Sequence, residues 1–136
     1  MATRYGREVI QDDIKALAKA KNYAVLTTLM PDGQPQSQVM WVDADDDHIL
    51  INTEVHRQKF KNIERDARAT VTIIVADNPY SYAEVRGTVV EIVRGDEARA
   101  HIDALSEKYV GHPYGAEIQS ERAILKIAPS RQLTRL

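Results

Sequence analysis

Residues 48 to 75, HILINTEVHRQKFKNIERDARATVTIIV, constrain the fold of this chain more than any other stretch. An apolar run reaches Asn52 and Thr53, meets a basic segment and gives way to a second β-rich run, a pattern that reads as strand, short helix, strand. In the middle segment Arg57, Lys61 and Arg65 recur at i, i+4 and i+8 and share one helical face, with Lys59 nearby. Like charges at that spacing cost about 0.2 to 0.5 kcal/mol per pair unless an anion sits against them. Phosphate and carboxylate are the natural partners, because Arg and Lys bind them through charge-assisted hydrogen bonds. Glu64 and Asp66 oppose that reading, since a basic face partly neutralised by its own acids is commonly just solvated. The charges alone leave the two readings level.

The rest of the chain decides what such a unit can belong to. With 136 residues, 43% of them hydrophobic and 28% charged, the sequence suits one folded domain with its own core, here taken as 1–136 with residues 1–10 as a loosely ordered arm. The net charge of −2 supplies no global field for nucleic acid or an anionic membrane, so any anion site must be local. There is no cysteine, which excludes disulfides, thiolate catalysis and thiolate metal sites and fits a reducing compartment. No run approaches the roughly 18 apolar residues that cross a bilayer, and MATRYGREVIQDD lacks the apolar centre of a secretory signal. A cytoplasmic protein is the expectation.

Residues 11 to 21 form an amphipathic helix, with Asp12 and Asp13 early and Lys19 and Lys21 late, matched to the helix dipole. YAVLTTLM at 23 to 30, the turn Pro31-Asp32-Gly33 and the alternation from Gln36 to Val42 read as a hairpin. DADDD at 43 to 47 is an acidic turn; it lacks the glycine and distal glutamate of a calcium loop. Residues 80 to 93 make a long strand in which Gly87 marks a bulge or a close backbone approach. DEARAHIDALSEKYV is a helix opened by Gly95, GHPYG is loop, and ERAILKIAPSRQLTRL begins as a strand. About six strands and three helices, with hairpins between neighbours, predict an antiparallel β-barrel flanked by helices rather than a parallel βαβ sheet.

Familiar chemistries find little footing. His48, His56, His101 and His112 form no H-x-x-x-H or H-E-x-x-H pair, so no metal site is expected. No serine lies in a G-x-S-x-G elbow, and neither standard glycine-rich phosphate loop occurs. Trp41, the only tryptophan, fits a core position as well as a ligand stack, and spacing does not choose a role for Tyr80 and Tyr82 around Ser81.

In order, YAVLTTLMPDGQPQSQVMWV, ILINT, HRQKFKNIERDARATVTI and YSYAEVRGTVVEI resemble the pyridoxamine 5'-phosphate oxidase-like flavin and deazaflavin oxidoreductases. The likeness runs from about residue 12 to residue 130 and lies toward the members that use the deazaflavin coenzyme F420. The resemblance implies a mainly β fold, a six-stranded antiparallel split β-barrel of the FMN-binding-protein type, forming a homodimer with two cofactor sites between subunits. It implies a phosphate site at Arg57, Lys59, Lys61 and Asn62, and a ring site along Gln38, Val39, Met40, Trp41, Asn52 and Thr53. Tyr80, Ser81 and Tyr82 would come from the other subunit. The activity implied is hydride transfer between F420 and an unsaturated small molecule, with no catalytic side chain assigned. FMN in place of F420, as in a pyridoxamine phosphate oxidase-like enzyme, and a non-catalytic barrel holding a cofactor or haem are the alternatives.

Overall fold

The structure, a computed structural model, describes residues 3–4 and 7–136, with side chains from Val9 onward. Its strands in chain order are β1 (Thr3–Arg4), β2 (Arg7–Glu8), β3 (Tyr23–Leu29), β4 (Pro35–Met40), β5 (Asp43–Ala44), β6 (Ile49–Glu54), β7 (Arg68–Val75), β8 (Asn78–Arg94) and β9 (Arg122–Arg135). The helices are α1 (Asp12–Lys19), α2 (Gln58–Arg65) and α3 (Asp96–Val110). Among the described residues β1 and β2 pair only with each other; the other strands form a seven-stranded antiparallel sheet in the order β4-β3-β7-β8-β9-β6-β5.

The two edges of that order are joined by only Trp41 and Val42. Six strand spacings would hold the edges of a flat sheet about 29 Å apart, whereas the chain from Met40 to Asp43 reaches at most about 11 Å. The sheet must therefore curl until its edges meet, which makes it a split barrel. A strand expected to run unbroken from Gln36 to Val42 instead bends at Trp41 and Val42, so that β4 pairs with β3 and β5 pairs with β6. If the bent strand is counted once, the six-stranded barrel expected from the sequence is what forms.

The barrel fills from within by alternation. Ala24 and Leu26 of β3, Val71 and Ile73 of β7, Ala83 and Val85 of β8, Leu125 and Ile127 of β9, and Ile49 and Ile51 of β6 belong to one buried cluster. Phe60 and Ile63 of α2 and Ile14 and Ala18 of α1 close it off. α3 covers the outer face of β6, where Leu50 meets Ala98 and Ile124. That is why every residue of β6 is buried.

Part of the expected amino-terminal arm lies outside the described residues. Its end is firmly placed: Ile10 is 2% exposed in the core, and Gln132 of β9 bonds the backbone of Val9 and Gln11. The acidic turn is held by its own chain, with Asp45 accepting from the His48 N–H at 2.7 Å and lying 3.5 Å from Lys126.

At Gly87 both sequence expectations hold. The β8–β9 register shifts between Arg86 and Gly87, and a Cβ there would lie 2.0 Å from the Ala128 carbonyl oxygen. Gly87→Ala is expected to destabilise the protein by about 2 kcal/mol or more, because two paired backbones would have to part. Urea denaturation tests this, and a loss below roughly 0.5 kcal/mol would show that the strands accommodate the methyl group.

Candidate functional site

A cavity of about 390 Å³ opens where the bend after β4, the end of β6, the start of α2, the middle of α3 and the start of β9 converge. Eight residues singled out in the sequence line it: Gln38, Val39, Met40, Trp41, Asn52, Thr53, Arg57 and Lys59. They come from three separate segments, brought together by the bend in the barrel and the turn from β6 into α2.

The start of α2 explains which cations arrive. Arg57 is the N-cap, with φ −75° and ψ 150°, so it is extended and stands off the helical wheel. Its side chain therefore does not stack with Lys61 and Arg65 as the i, i+4, i+8 spacing predicts. Lys59, one position into the helix, turns to the same cavity as Arg57, while Lys61 is exposed and Arg65 bonds the Leu29 carbonyl. Asn62 is fully buried: its amide donates to Thr28 Oγ1 at 3.0 Å and Gln36 Oε1 at 3.2 Å and accepts from Gln58 Nε2 at 2.9 Å. It ties α2 to the β3–β4 hairpin and has no face on the cavity. Tyr80, Ser81 and Tyr82 lie at the start of β8 away from this chain's cavity, and Tyr80 is 82% exposed. Lys61, Asn62 and the Tyr80 group are thus not brought to the cavity within one chain.

Lys59 is 5% exposed and has no hydrogen-bond or ion-pair partner among the described residues. Burial pushes its ammonium below the ordinary lysine range, and the neighbouring charges of Arg57 and Arg122 push the same way. Arg122, 7% exposed, is lowered by burial as well, partly offset by Tyr114 and Glu54.

The counter-charge is Glu54, 1% exposed. Its Oε1 accepts from the Gln119 N–H at 2.7 Å and the Ser120 N–H at 2.8 Å, and its Oε2 lies 3.5 Å from Arg122 and 3.7 Å from Arg57. Burial alone would raise this carboxyl, but the Ser120 and Gln119 hydrogen bonds and the Arg122 charge outweigh it and hold it below the usual range. Three cations against one acid leave this end of the cavity short of negative charge.

The rest of the lining is largely aromatic and aliphatic. Trp41 stacks on Tyr109 with ring centroids 5.1 Å apart and 5° between planes, and meets Tyr114 edge-on at 6.3 Å. Tyr23, Ile102, Leu105 and Tyr114 complete the lining. The buried Tyr109 hydroxyl donates to the Asn22 carbonyl and accepts from the Val42 N–H, and burial pushes it up to about 12. Tyr109 thus serves as a neutral strut that pins the bend carrying Trp41.

The family model for pyridoxamine 5'-phosphate oxidase matches residues 10–135, nearly the whole chain. The chain belongs to this family. Among solved structures it is similar to an F420 reductase, with 31% identity, a TM-score of 0.78, and coverage of 91% of this chain and 98% of that one. A conserved hypothetical protein of Mycobacterium tuberculosis is 26% identical with a TM-score of 0.70, covering 98% and 89% of the two chains. A putative pyridoxamine 5'-phosphate oxidase of Listeria innocua, 19% identical with a TM-score of 0.65 over 90% and 95%, shares the fold. No curated protein matches. The family is one of flavin-type oxidoreductases, and this chain carries its scaffold over its full width.

Against that family frame, the residues that sequence reasoning missed are Glu54, Arg122, Tyr23, Ile102, Leu105 and Tyr114. Glu54 directly follows the ILINT run and Arg122 opens the last strand, so each reads as an ordinary strand-end charge. The available signal for Arg122 was its place one residue before the apolar AILKI run, where a cation is carried to a barrel edge.

Proposed function

We propose that this protein is an F420-dependent oxidoreductase that holds the cofactor phosphate on Arg57, Lys59 and Arg122. The observation that carries this reading is Lys59: a largely buried lysine with no hydrogen-bond or ion-pair partner among the described residues, beside two arginines and lining a cavity, is a ready site for an anion. A phosphate monoester supplies the charge and several acceptor oxygens. Gln38 to Trp41, Asn52 and Thr53 form the wall for the ring, and the Trp41–Tyr109–Tyr114 stack shields that region from water.

When bound, the deazaflavin supplies or accepts the hydride exchanged with an unsaturated small molecule, while the protein contributes position and electrostatics. The 31% identity to an F420 reductase supports F420 over FMN. The missing phosphate-side and ring-side contacts come in this proposal from a second copy, which brings Tyr80, Ser81 and Tyr82 to the shared groove. The exposed Val39, at 71%, and Tyr80 are the kind of apolar surface such a contact buries. The absence of cysteine fits work in the cytoplasm.

Purified protein titrated with F420 and with FMN, followed by cofactor fluorescence, is expected to bind F420 at micromolar levels and FMN more weakly. Size-exclusion chromatography with light scattering on the same sample should give twice the chain mass. Micromolar FMN binding with no F420 binding would overturn the cofactor, and a stable monomer with full affinity would overturn the shared groove.

A further inference from the structure

Behind the cationic end of the cavity runs a hydrogen-bonded chain across four elements. Arg122 Nε on β9 donates to Asn52 Oδ1 on β6 at 2.8 Å. Asn52 Nδ2 lies 3.0 Å from the Ala98 carbonyl and 3.0 Å from His101 Nδ1, both on α3. His101 Nε2 lies 3.1 Å from Asp43 Oδ2 on β5. The direction of every bond follows from the first. A guanidinium has only donors, so the Asn52 atom facing Arg122 is the oxygen. The other Asn52 atom is then the NH₂, and the His101 Nδ1 facing it is an unprotonated acceptor. The imidazole proton sits on Nε2, where it donates to Asp43.

We propose that His101 is a positioning residue for the anion site: by accepting from Asn52 it fixes the amide orientation that anchors Arg122 at the cavity wall. This rests on the reading of the cavity as an anion site. The His101 side chain is 11% exposed and that of Arg122 is 6% exposed, so water does not readily replace a lost partner.

A second proton on His101 would put an Nδ1–H against the Asn52 NH₂, donor facing donor. If the amide turned over to relieve this, the NH₂ would face the Arg122 Nε–H instead. One of the two contacts must fail, and Arg122 loses its Asn52 acceptor when the second does. The charged groups around His101 set the balance. Asp43 on β5 faces His101 directly, Lys108 on α3 acts on Asp43, and Arg122 on β9 reaches His101 through Asn52. Glu54, the acid of β6, is committed to Arg57, Arg122 and the backbone at 119–120. Protonation of His101 would therefore exchange the Arg122–Asn52 hydrogen bond for a charged His101–Asp43 pair.

Sulfate is the probe, because it does not titrate between neutrality and about pH 5.5, where histidine changes charge. Calorimetric titration of the full chain should show wild-type affinity falling roughly tenfold on acidification, the loss expected for one hydrogen bond to a charged group. A simple cationic site would hold or gain affinity. His101→Asn, which keeps an acceptor near the Nδ1 position and takes no proton, should bind with no such fall, and His101→Leu should bind weakly at both pH values. Ring nitrogen and carbon shifts by NMR should report the Nε2–H tautomer of His101 at neutral pH, with or without anion. Matching pH profiles in wild type and His101→Asn, or an Nδ1–H tautomer, would overturn the positioning role alone. Absence of any sulfate binding by the wild type would overturn the anion reading and this inference with it.

Discussion

Lys59→Met is expected to leave the protein more stable and its cavity a weaker phosphate site. Methionine has similar length and no charge, so the substitution removes the desolvation cost of a largely buried lysine, a gain of up to about 1 kcal/mol. Cofactor affinity should fall by about 1 to 3 kcal/mol, the worth of a charge-assisted contact to phosphate in a shielded site. A pH signature accompanies the exchange. Lys59 in the fold is lowered from the ordinary 10.5, so between its lowered value and 10.5 the unfolded chain binds more protons than the native one. Wild-type stability should therefore rise with pH through that window, and Lys59→Met should lose the rise. A bound anion pulls the ammonium back up, so cofactor affinity should decline as pH rises through the same window. Urea melts across that range with fluorescence titrations test all of this. Unchanged stability together with unchanged affinity would mean that the Lys59 charge meets neither a burial cost nor an anion.

Glu54→Ala carries the largest expected loss of stability, about 3 to 5 kcal/mol. The change leaves the Arg122 charge buried without its carboxylate and the Gln119 and Ser120 N–H groups without their acceptor. Glu54→Gln keeps one carbonyl acceptor for the backbone at 119–120 and should recover part of the loss. The sign with pH is opposite to that of Lys59. Because the Glu54 carboxyl is held below the ordinary 4.5, its stabilisation is present above that value and is lost as pH falls through the folded value. Glu54→Gln should remove this acid-side loss. Denaturant melts at neutral and acid pH decide the matter; a cost under about 1 kcal/mol for Glu54→Ala would mean that the loop and Arg122 find other partners.

Most of the fold could be read locally. The short β-rich runs at Tyr23–Leu29 and Arg68–Val75, the helical spacing of Ala98, Ile102, Leu105 and Tyr109, and the turn at Pro31-Asp32-Gly33 each specify their element without long-range help. Gly87 was legible for the same reason, since a glycine inside a strand pattern has few other uses. The bend at Trp41 and Val42 was not legible. Neither residue breaks a strand; the chain turns there because the curling sheet must join its two edges.

The site divides along the same line. The sequence by itself determined that a basic segment follows a strand ending in Asn52 and Thr53, and motif order tied it to Gln38 through Trp41. Only the tertiary structure decided which charges meet. Arg57 leaves the helical face because it caps α2, Asn62 turns inward to the hairpin, and Arg122 arrives from 65 residues further along the chain. Periodicity describes one element at a time, whereas a buried charge is placed by the partners that several elements bring to it. For that reason the linear pattern could suggest an anion, and only the packing of β6, α2, α3 and β9 could show the unpartnered Lys59 that calls for one.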